Sequence, residues 1–328
     1  MIAITGATGL LGGFIASRFI SAGEKVVGLT RKRITVDDSH EQPENITWRE
    51  VNLLDPISIS ESLKDVHTVI HSAALVSFNP RKTKEIFETN TEGTKNIVDA
   101  CLAVGVKKLI HISSVSALGR QKGIYRINEE SHWTNKTLTS DYALSKYQAE
   151  VEVYRGHEEG LEVSIVNPSV ILAPSDWSSS SSQLFKYIWN ENSFYTDGFL
   201  NYVDARDVAN MVYVLSKSNF NGERFIASTN LISFKNIFDE IAKRFNKKPP
   251  SIRINTPFSE VLAFLENIRC TLTNQEPVIT KHTVQMAAEP FYYDNKKAVE
   301  KLNLSFHTLA ETLDFCCPYY LQKITTNK

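Results

Sequence analysis

Along the first half of the chain, short β-branched apolar runs alternate with longer stretches in which apolar residues recur every three or four positions. Apolar runs of four to eight residues read as strands, and a 3.6-residue apolar period reads as a helix with one buried face. Strands are expected at Ile2–Thr5, Lys25–Leu29, Thr47–Val51, Thr68–His71, Lys108–Ser113 and Glu162–Asn167. Helices are expected at Leu11–Ala22, Ile57–Leu63, Thr89–Val104 and Asp141–Glu158. Strands alternating with helices in this way build a parallel sheet covered on both faces, so the expected fold class is α/β with a doubly wound sheet.

Pro168, Pro174 and the serines of Ser178–Ser182 interrupt the rhythm, and a serine run beside Trp177 suits a loop better than a packed element. Residues 201–228 again read as a helix followed by a strand, which returns the chain to the first unit. From Ser233 onward the apolar spacing is helical, in FKNIFDEIAKRF, SEVLAFLENI and AETLDFCCPYYL. The expected division is a sheet domain over residues 1–175, rejoined by 201–228, and a smaller, mostly helical lobe made from 176–200 and 229–328.

Composition narrows the choice of partner. With 36 Lys and Arg against 37 Asp and Glu, the formal charge is -1, so no net positive field attracts nucleic acid or an anionic membrane. A small molecule is the expected partner. Cys101, Cys270, Cys316 and Cys317 have no metal-ligand spacing. They read as reduced thiols, and the expected location is cytoplasmic. The apolar opening MIAITGATGLLGGFIA lacks a basic leader and carries regularly spaced glycines, so it reads as strand, turn and helix rather than as a signal sequence. No later run has the length and apolarity of a membrane span.

The chemistry begins in that opening. Thr5-Gly6-Ala7-Thr8-Gly9-Leu10-Leu11-Gly12 sets glycines at GxxGxxG spacing between the first strand and the first helix. In that context Gly6 permits a tight turn, Gly9 lets backbone approach a pyrophosphate, and Gly12 lets the helix pack on the sheet. The helix N-terminus adds unpaired N–H groups and a partial positive charge. The second strand then ends in Thr30 and Arg31, where a site for NAD commonly has Asp or Glu. Arginine can pair with a 2′-phosphate, so NADP(H) is the expected cofactor and NAD(H) the alternative.

Tyr142-Ala143-Leu144-Ser145-Lys146 is a YxxxK sequence within an expected helix, which puts Tyr142 and Lys146 on one face, a turn apart. A neighbouring ammonium and an oxidised nicotinamide would stabilise phenolate and lower the tyrosine pKa. Tyr142 could then exchange a proton with a carbonyl or alcohol. LIHISSVSALG supplies Ser113, Ser114 and Ser116 at the carboxyl end of the sheet, and Ser114 is the expected partner for the substrate oxygen. His71 and His111 read as satisfied structural histidines rather than acid–base groups. No metal site is expected.

Together these segments resemble the extended short-chain dehydrogenase/reductases, also called the NAD-dependent epimerase/dehydratase family. HSAA (His71–Ala74), NTEGT (Asn90–Thr94), NPSVILAP (Asn167–Pro174), YVDARDVA (Tyr202–Ala209) and YYDNKKAVEKL extend the likeness over nearly the whole chain. The resemblance implies a Rossmann-type domain and a catalytic set of Ser114, Tyr142 and Lys146. It implies cofactor contacts from Gly6, Thr8, Gly9, Leu10 and Leu11, from Arg31, Asn52 and Leu53, and from Ala73, Ala74, Tyr142, Lys146, Pro168 and Val170. Asn52 stands where many members carry Asp, and an amide can still bond adenine. Arg31 and NPS are more like the dihydroflavonol-reductase and aldehyde-reductase group than the nucleotide-sugar epimerases.

The expected activity is NADPH-dependent reduction of an aldehyde or ketone to an alcohol. The alternatives are a nucleotide-sugar epimerase or dehydratase holding NAD, and a non-catalytic NADP sensor. A homodimer is suggested by the resemblance alone. Trp177, Phe194, Tyr195 and Phe199 are candidates for an apolar substrate pocket or equally for core.

Overall fold

The computed structural model describes residues 1–31, 45–134, 137, 139–177, 181–254 and 290–326. Five strands come first, β1 (Ile2–Thr5), β2 (Val26–Thr30), β3 (Ile46–Glu50), β4 (Thr68–His71) and β5 (Lys108–Ile112). The short β6 (Arg126–Ile127) precedes β7 (Glu162–Pro168), β8 (Val170–Leu172), β9 (Phe194–Thr196), β10 (Phe199–Asp204) and β11 (Glu223–Ala227). Seven of these form the central sheet in the order β11-β7-β5-β4-β1-β2-β3, every neighbour parallel. This is a Rossmann-like doubly wound α/β fold.

The helices are α1 (Leu10–Ser21), α2 (Pro56–Ser62), α3 (Thr83–Phe87), α4 (Gly93–Val104), α5 (Asp141–Glu158), α6 (Ser182–Trp189) and α7 (Ala205–Lys217), followed by α8 (Phe234–Phe245), α9 (Lys296–Leu302) and α10 (Leu309–Thr326). Alternation along the strands decides which face each residue serves. Ile4, Ile110 and Ile112 pack with Ile15, Phe19, Val208 and Met211 from α1 and α7. Ala3, Val69 and Leu109 turn the other way, onto Ile59, Ile97, Val98 and Val153 from α2, α4 and α5. Both faces being covered, the inner strands are buried at every position, as in β1 and β2.

Strand order reverses between β1 and β4, and in such sheets ligands bind outside the carboxyl ends at that point. A second core lies beyond those ends, where Phe185, Ile188, Ile237, Ile241, Phe245, Leu313 and Tyr320 of α6, α8 and α10 meet. Small sheets frame it. β10 runs parallel to β8 and antiparallel to β12 (Asn230–Ser233), β13 (Ile252–Ile254) pairs with β9, and β14 (Tyr292–Tyr293) pairs with β6.

Some expectations shift by a few residues. Asn167 and Pro168 end β7, but after Ser169 the chain leaves the central sheet and β8 joins β10 instead. Ser182, expected in a loop, begins α6. The helix expected from Thr89 is preceded by α3 and enters α4 through a π-helical segment, Glu88–Glu92. Lys32, Arg33, the serines at 178–180, the expected helix at 259–268 and Cys270 lie outside the described residues. Among the described residues no helix is long and apolar enough to cross a membrane.

Candidate active site

The crevice starts with β1. Gly6 has φ +68°, and a Cβ there would lie 2.8 Å from the backbone of Ala73, in the loop that follows β4. A Cβ on Gly12 would lie 2.0 Å from the Gly6 carbonyl oxygen. The two glycines thus let the turn close against both β4 and α1. Gly9 is the N-cap of α1, with no side-chain cap and no acidic residue in the first turn. Exposed Thr8 and Gly9 present this helix start to the crevice. A small, uncapped, positively polarised helix end fits the pyrophosphate of a dinucleotide.

Thr5 joins β1 to the next loop. Its Oγ1 accepts the N–H groups of Ser72 and Ala73, each at 3.1 Å, and lies 2.7 Å from His71 Nδ1. On the other side His71 Nε2 is 3.0 Å from Thr94 Oγ1, which itself donates to the Asn90 carbonyl. That geometry sets a tautomer, with Nε2–H donating to Thr94 and Nδ1 accepting from Thr5. Burial and the charge of Lys146 hold His71 neutral, its pKa brought down to about 3. His71 is therefore satisfied as expected, but His111 is not. Its ring sits 5.3 Å from that of His71, and neither nitrogen has a hydrogen-bond partner among the described residues.

The π-helical segment turns Asn90 inward. Its Oδ1 accepts from Leu75 N at 2.7 Å, and its Nδ2 donates to Leu75 O and Ser145 Oγ, both at 3.0 Å. One side chain thereby ties the loop carrying Ala73 and Ala74 to α5 beside Lys146. π-Helical segments recur at functional sites because they re-aim such a side chain.

Ser114 ends the β5 stretch as N-cap of a 3₁₀ turn, Val115–Leu118, and its Oγ accepts from Ser116 N and donates to Ser116 Oγ, each at 3.1 Å. Opposite stands the first turn of α5, capped by Ser140. Its Tyr142 hydrogen-bonds Ser114 and meets the ring of Phe78 edge-on at 5.9 Å. Lys146, one turn on, is buried and donates from Nζ to Ile112 O at 2.7 Å. Ser114, Tyr142 and Lys146 are thus brought to one place.

The electrostatics differ from the sequence expectation. Burial raises the Tyr142 pKa, while the Ser114 hydrogen bond and the charge of Arg120 work against it. Burial also lowers Lys146 to about 8, opposed by Glu150. Among these groups Arg120, rather than Lys146, is the cation that favours phenolate.

The remaining expected contacts line the same edge less closely. Arg31 follows β2 and is exposed, as is Asn52, whose Oδ1 accepts from Leu54 N at 3.1 Å. Leu53 packs near Gly93 at the start of α4. Leu10 and Leu11 open α1, Pro168 is buried at the end of β7, and Val170 is exposed on β8.

Sequence reading missed Arg120 and a buried network behind the serine. Asn167 Nδ2 donates to Ser114 O at 3.0 Å and to Glu150 Oε1 at 2.5 Å, and Arg224 pairs with Glu150 at 3.3 Å. The spacing held one clue, since Glu150 lies one helical turn beyond Lys146 and two beyond Tyr142. Arg120 had none, because it lies in a loop without periodicity.

The parallel sheet, the glycine turn at its switch point and the Ser, Tyr and Lys gathered beside it define a dinucleotide-dependent α/β oxidoreductase. The chain belongs to the NAD dependent epimerase/dehydratase family, whose model matches residues 2–226. It is an NAD(P)-dependent oxidoreductase of the extended short-chain dehydrogenase/reductase type. It is 25% identical over 316 residues to "Putative dihydroflavonol 4-reductase" of Synechocystis sp., covering 94% of this chain and 91% of that one. It is 25% identical to cinnamoyl-CoA reductase 2 of Medicago truncatula, over 76% of this chain and 77% of the other. The solved structure of gox2253 superposes with a TM-score of 0.83 at 26% identity, over 98% of both chains. UDP-glucose 4-epimerase of Thermotoga maritima has the same fold, with a TM-score of 0.79 at 19% identity over 98% of this chain and 99% of that one.

Proposed function

We propose that the protein reduces a carbonyl compound to an alcohol with NADPH. The observation that carries this reading is the convergence of Ser114, Tyr142 and Lys146 beside the uncapped start of α1. When bound, a reduced nicotinamide supplies the hydride. The hydroxyls of Ser114 and Tyr142 hold the substrate oxygen, and Tyr142 Oη gives it a proton as charge builds there. Burial keeps Tyr142 protonated and ready to donate. Lys146, buried and turned to Ile112 O, fixes the backbone beneath Tyr142.

Gly6, Gly9 and the first N–H groups of α1 would hold the pyrophosphate, and Arg31 the 2′-phosphate. Asn52 and Leu53 would border adenine, Ala73 and Ala74 the wall of the cofactor groove, and Pro168 and Val170 the nicotinamide. The lobe built from 176–200 and 229–328 would cover the substrate. Reductase names among the relatives support the direction of chemistry, and Arg31 following β2, where a site for NAD commonly has Asp or Glu, supports NADPH.

The test is loss of reduced-nicotinamide absorbance with purified protein, NADPH or NADH, and a panel of aldehydes and ketones. Faster oxidation of NADPH that reverses in favour of NADH on Arg31→Asp is the expected result. Consumption of neither cofactor with any carbonyl would overturn the reading.

A further inference from the structure

Arg120 is a cation that the fold brings beside Tyr142 with no counter-ion among the described residues. It follows the 3₁₀ turn that begins at Ser114, through Gly119, whose φ is +70° and whose turn is closed against the backbone of His132. Its guanidinium carbon lies 5.4 Å from the ring centroid of Tyr293 and 6.0 Å from that of Phe291. Both rings are buried, and β14, which carries Tyr293, is fixed alongside β6. Arg120 is itself half-buried, and its Nε is shut off from solvent with no hydrogen-bond partner among the described residues.

Other arginines near this end of the molecule are compensated. Arg126 pairs with Asp294 at 2.8 Å, Arg224 with Glu150, and Arg206 with Asp204 at 2.6 Å. Among the described residues no carboxylate pairs with Arg120. Glu129, in the same loop region, is engaged by the backbone, accepting from Ile226 N at 2.9 Å. A partly desolvated guanidinium that meets the Tyr293 phenol but no carboxylate is costly, and a carboxylate is the group whose planar geometry matches its fork. One guanidinium beside two aromatic rings suits a planar monoanion better than a phosphate dianion, which calls for several donors.

We propose that Arg120 binds a carboxylate of the substrate, so that the protein acts on oxo acids in which the reacting carbonyl and the carboxylate belong to one small molecule. The proposal rests on the reductase reading for its chemistry, but the anion site can be tested without turnover. The charge that recognises the carboxylate also acts on Tyr142, the group that would protonate the carbonyl.

The experiment compares 4-carboxybenzaldehyde with its methyl ester, in the wild type, Arg120→Lys and Arg120→Met. The expected result is that the wild type favours the acid by about tenfold or more in kcat/KM. Arg120→Lys should keep part of that preference, and Arg120→Met should lose it, through KM. Calorimetric titration with 4-carboxybenzyl alcohol should give binding to the wild type and none to Arg120→Met. Equal use of acid and ester by an active wild type would overturn the proposal and leave the reductase reading intact. Oxidation of NADPH with neither compound, together with calorimetric binding that Arg120→Met abolishes, would sink the reductase reading and support the anion site. Equal calorimetric binding to wild type and Arg120→Met would overturn the assignment to Arg120.

Discussion

Tyr142 and Lys146 face opposite consequences of the same burial. Removing the phenol oxygen with Tyr142→Phe leaves the ring against Phe78 but takes away the proposed proton donor. Turnover is expected to fall about 10²- to 10⁴-fold, with NADPH binding, followed by fluorescence, retained. For Lys146, burial brings the folded pKa to about 8, while an unfolded lysine titrates at about 10.4. Between those values the unfolded chain holds more protons, so this residue's contribution to stability rises with pH across the window. Its cost is therefore greatest below pH 8. Lys146→Met should inactivate the enzyme yet raise the urea midpoint at pH 7, and its advantage should shrink by pH 9.5. An advantage unchanged between the two pH values would contradict that account.

At the scale of elements, the start of α1 separates structural from ligand-facing glycines. An added Cβ at Gly12 meets the Gly6 carbonyl at 2.0 Å, a backbone atom that cannot rotate away. At Gly9 the same addition meets that oxygen at 3.2 Å, with no positive φ to disfavour a side chain. Gly12→Ala is accordingly expected to displace α1 and lower the melting temperature of the protein without cofactor. Gly9→Ala should leave that temperature within a few degrees and weaken NADPH binding, because it narrows the approach to the phosphates. Comparable melting losses in the two variants would refute the division. The spacing GxxGxxG announced the turn, but the different duties of its glycines depend on how close α1 and β4 come.

Across the whole molecule, His71 and His111 couple the sheet to acid stability. Burial depresses both below the usual value of about 6.5, His71 to about 3 and His111 also well below it. The unfolded chain then takes up two protons that the folded chain refuses, so stability present above pH 6.5 is lost as pH falls. Each histidine contributes a slope of about 1.4 kcal/mol per pH unit once the unfolded residue is protonated. Urea unfolding between pH 6.0 and 5.0 should show a slope of roughly two protons from this pair, reduced to about one in His111→Phe. A pH-independent midpoint in that interval would mean that the pair is not held neutral.

Local pattern determined the strands and helices of the sheet domain, because apolar spacing and glycine punctuation are written in neighbouring residues. β1 and β4 match their sequence expectations, and α5 runs over the whole of Asp141–Glu158. The YxxxK spacing and the serine strand likewise made Ser114, Tyr142 and Lys146 legible as a set. Tertiary structure alone decided what surrounds them. Asn90 reaches α5 through a π-helical segment, Glu150 meets Asn167 and Arg224 from three separate elements, and Arg120 lies against rings more than 170 positions away. Periodicity reports which face of an element is buried, but burial by distant segments and the pairing or isolation of a charge arise only when those segments meet.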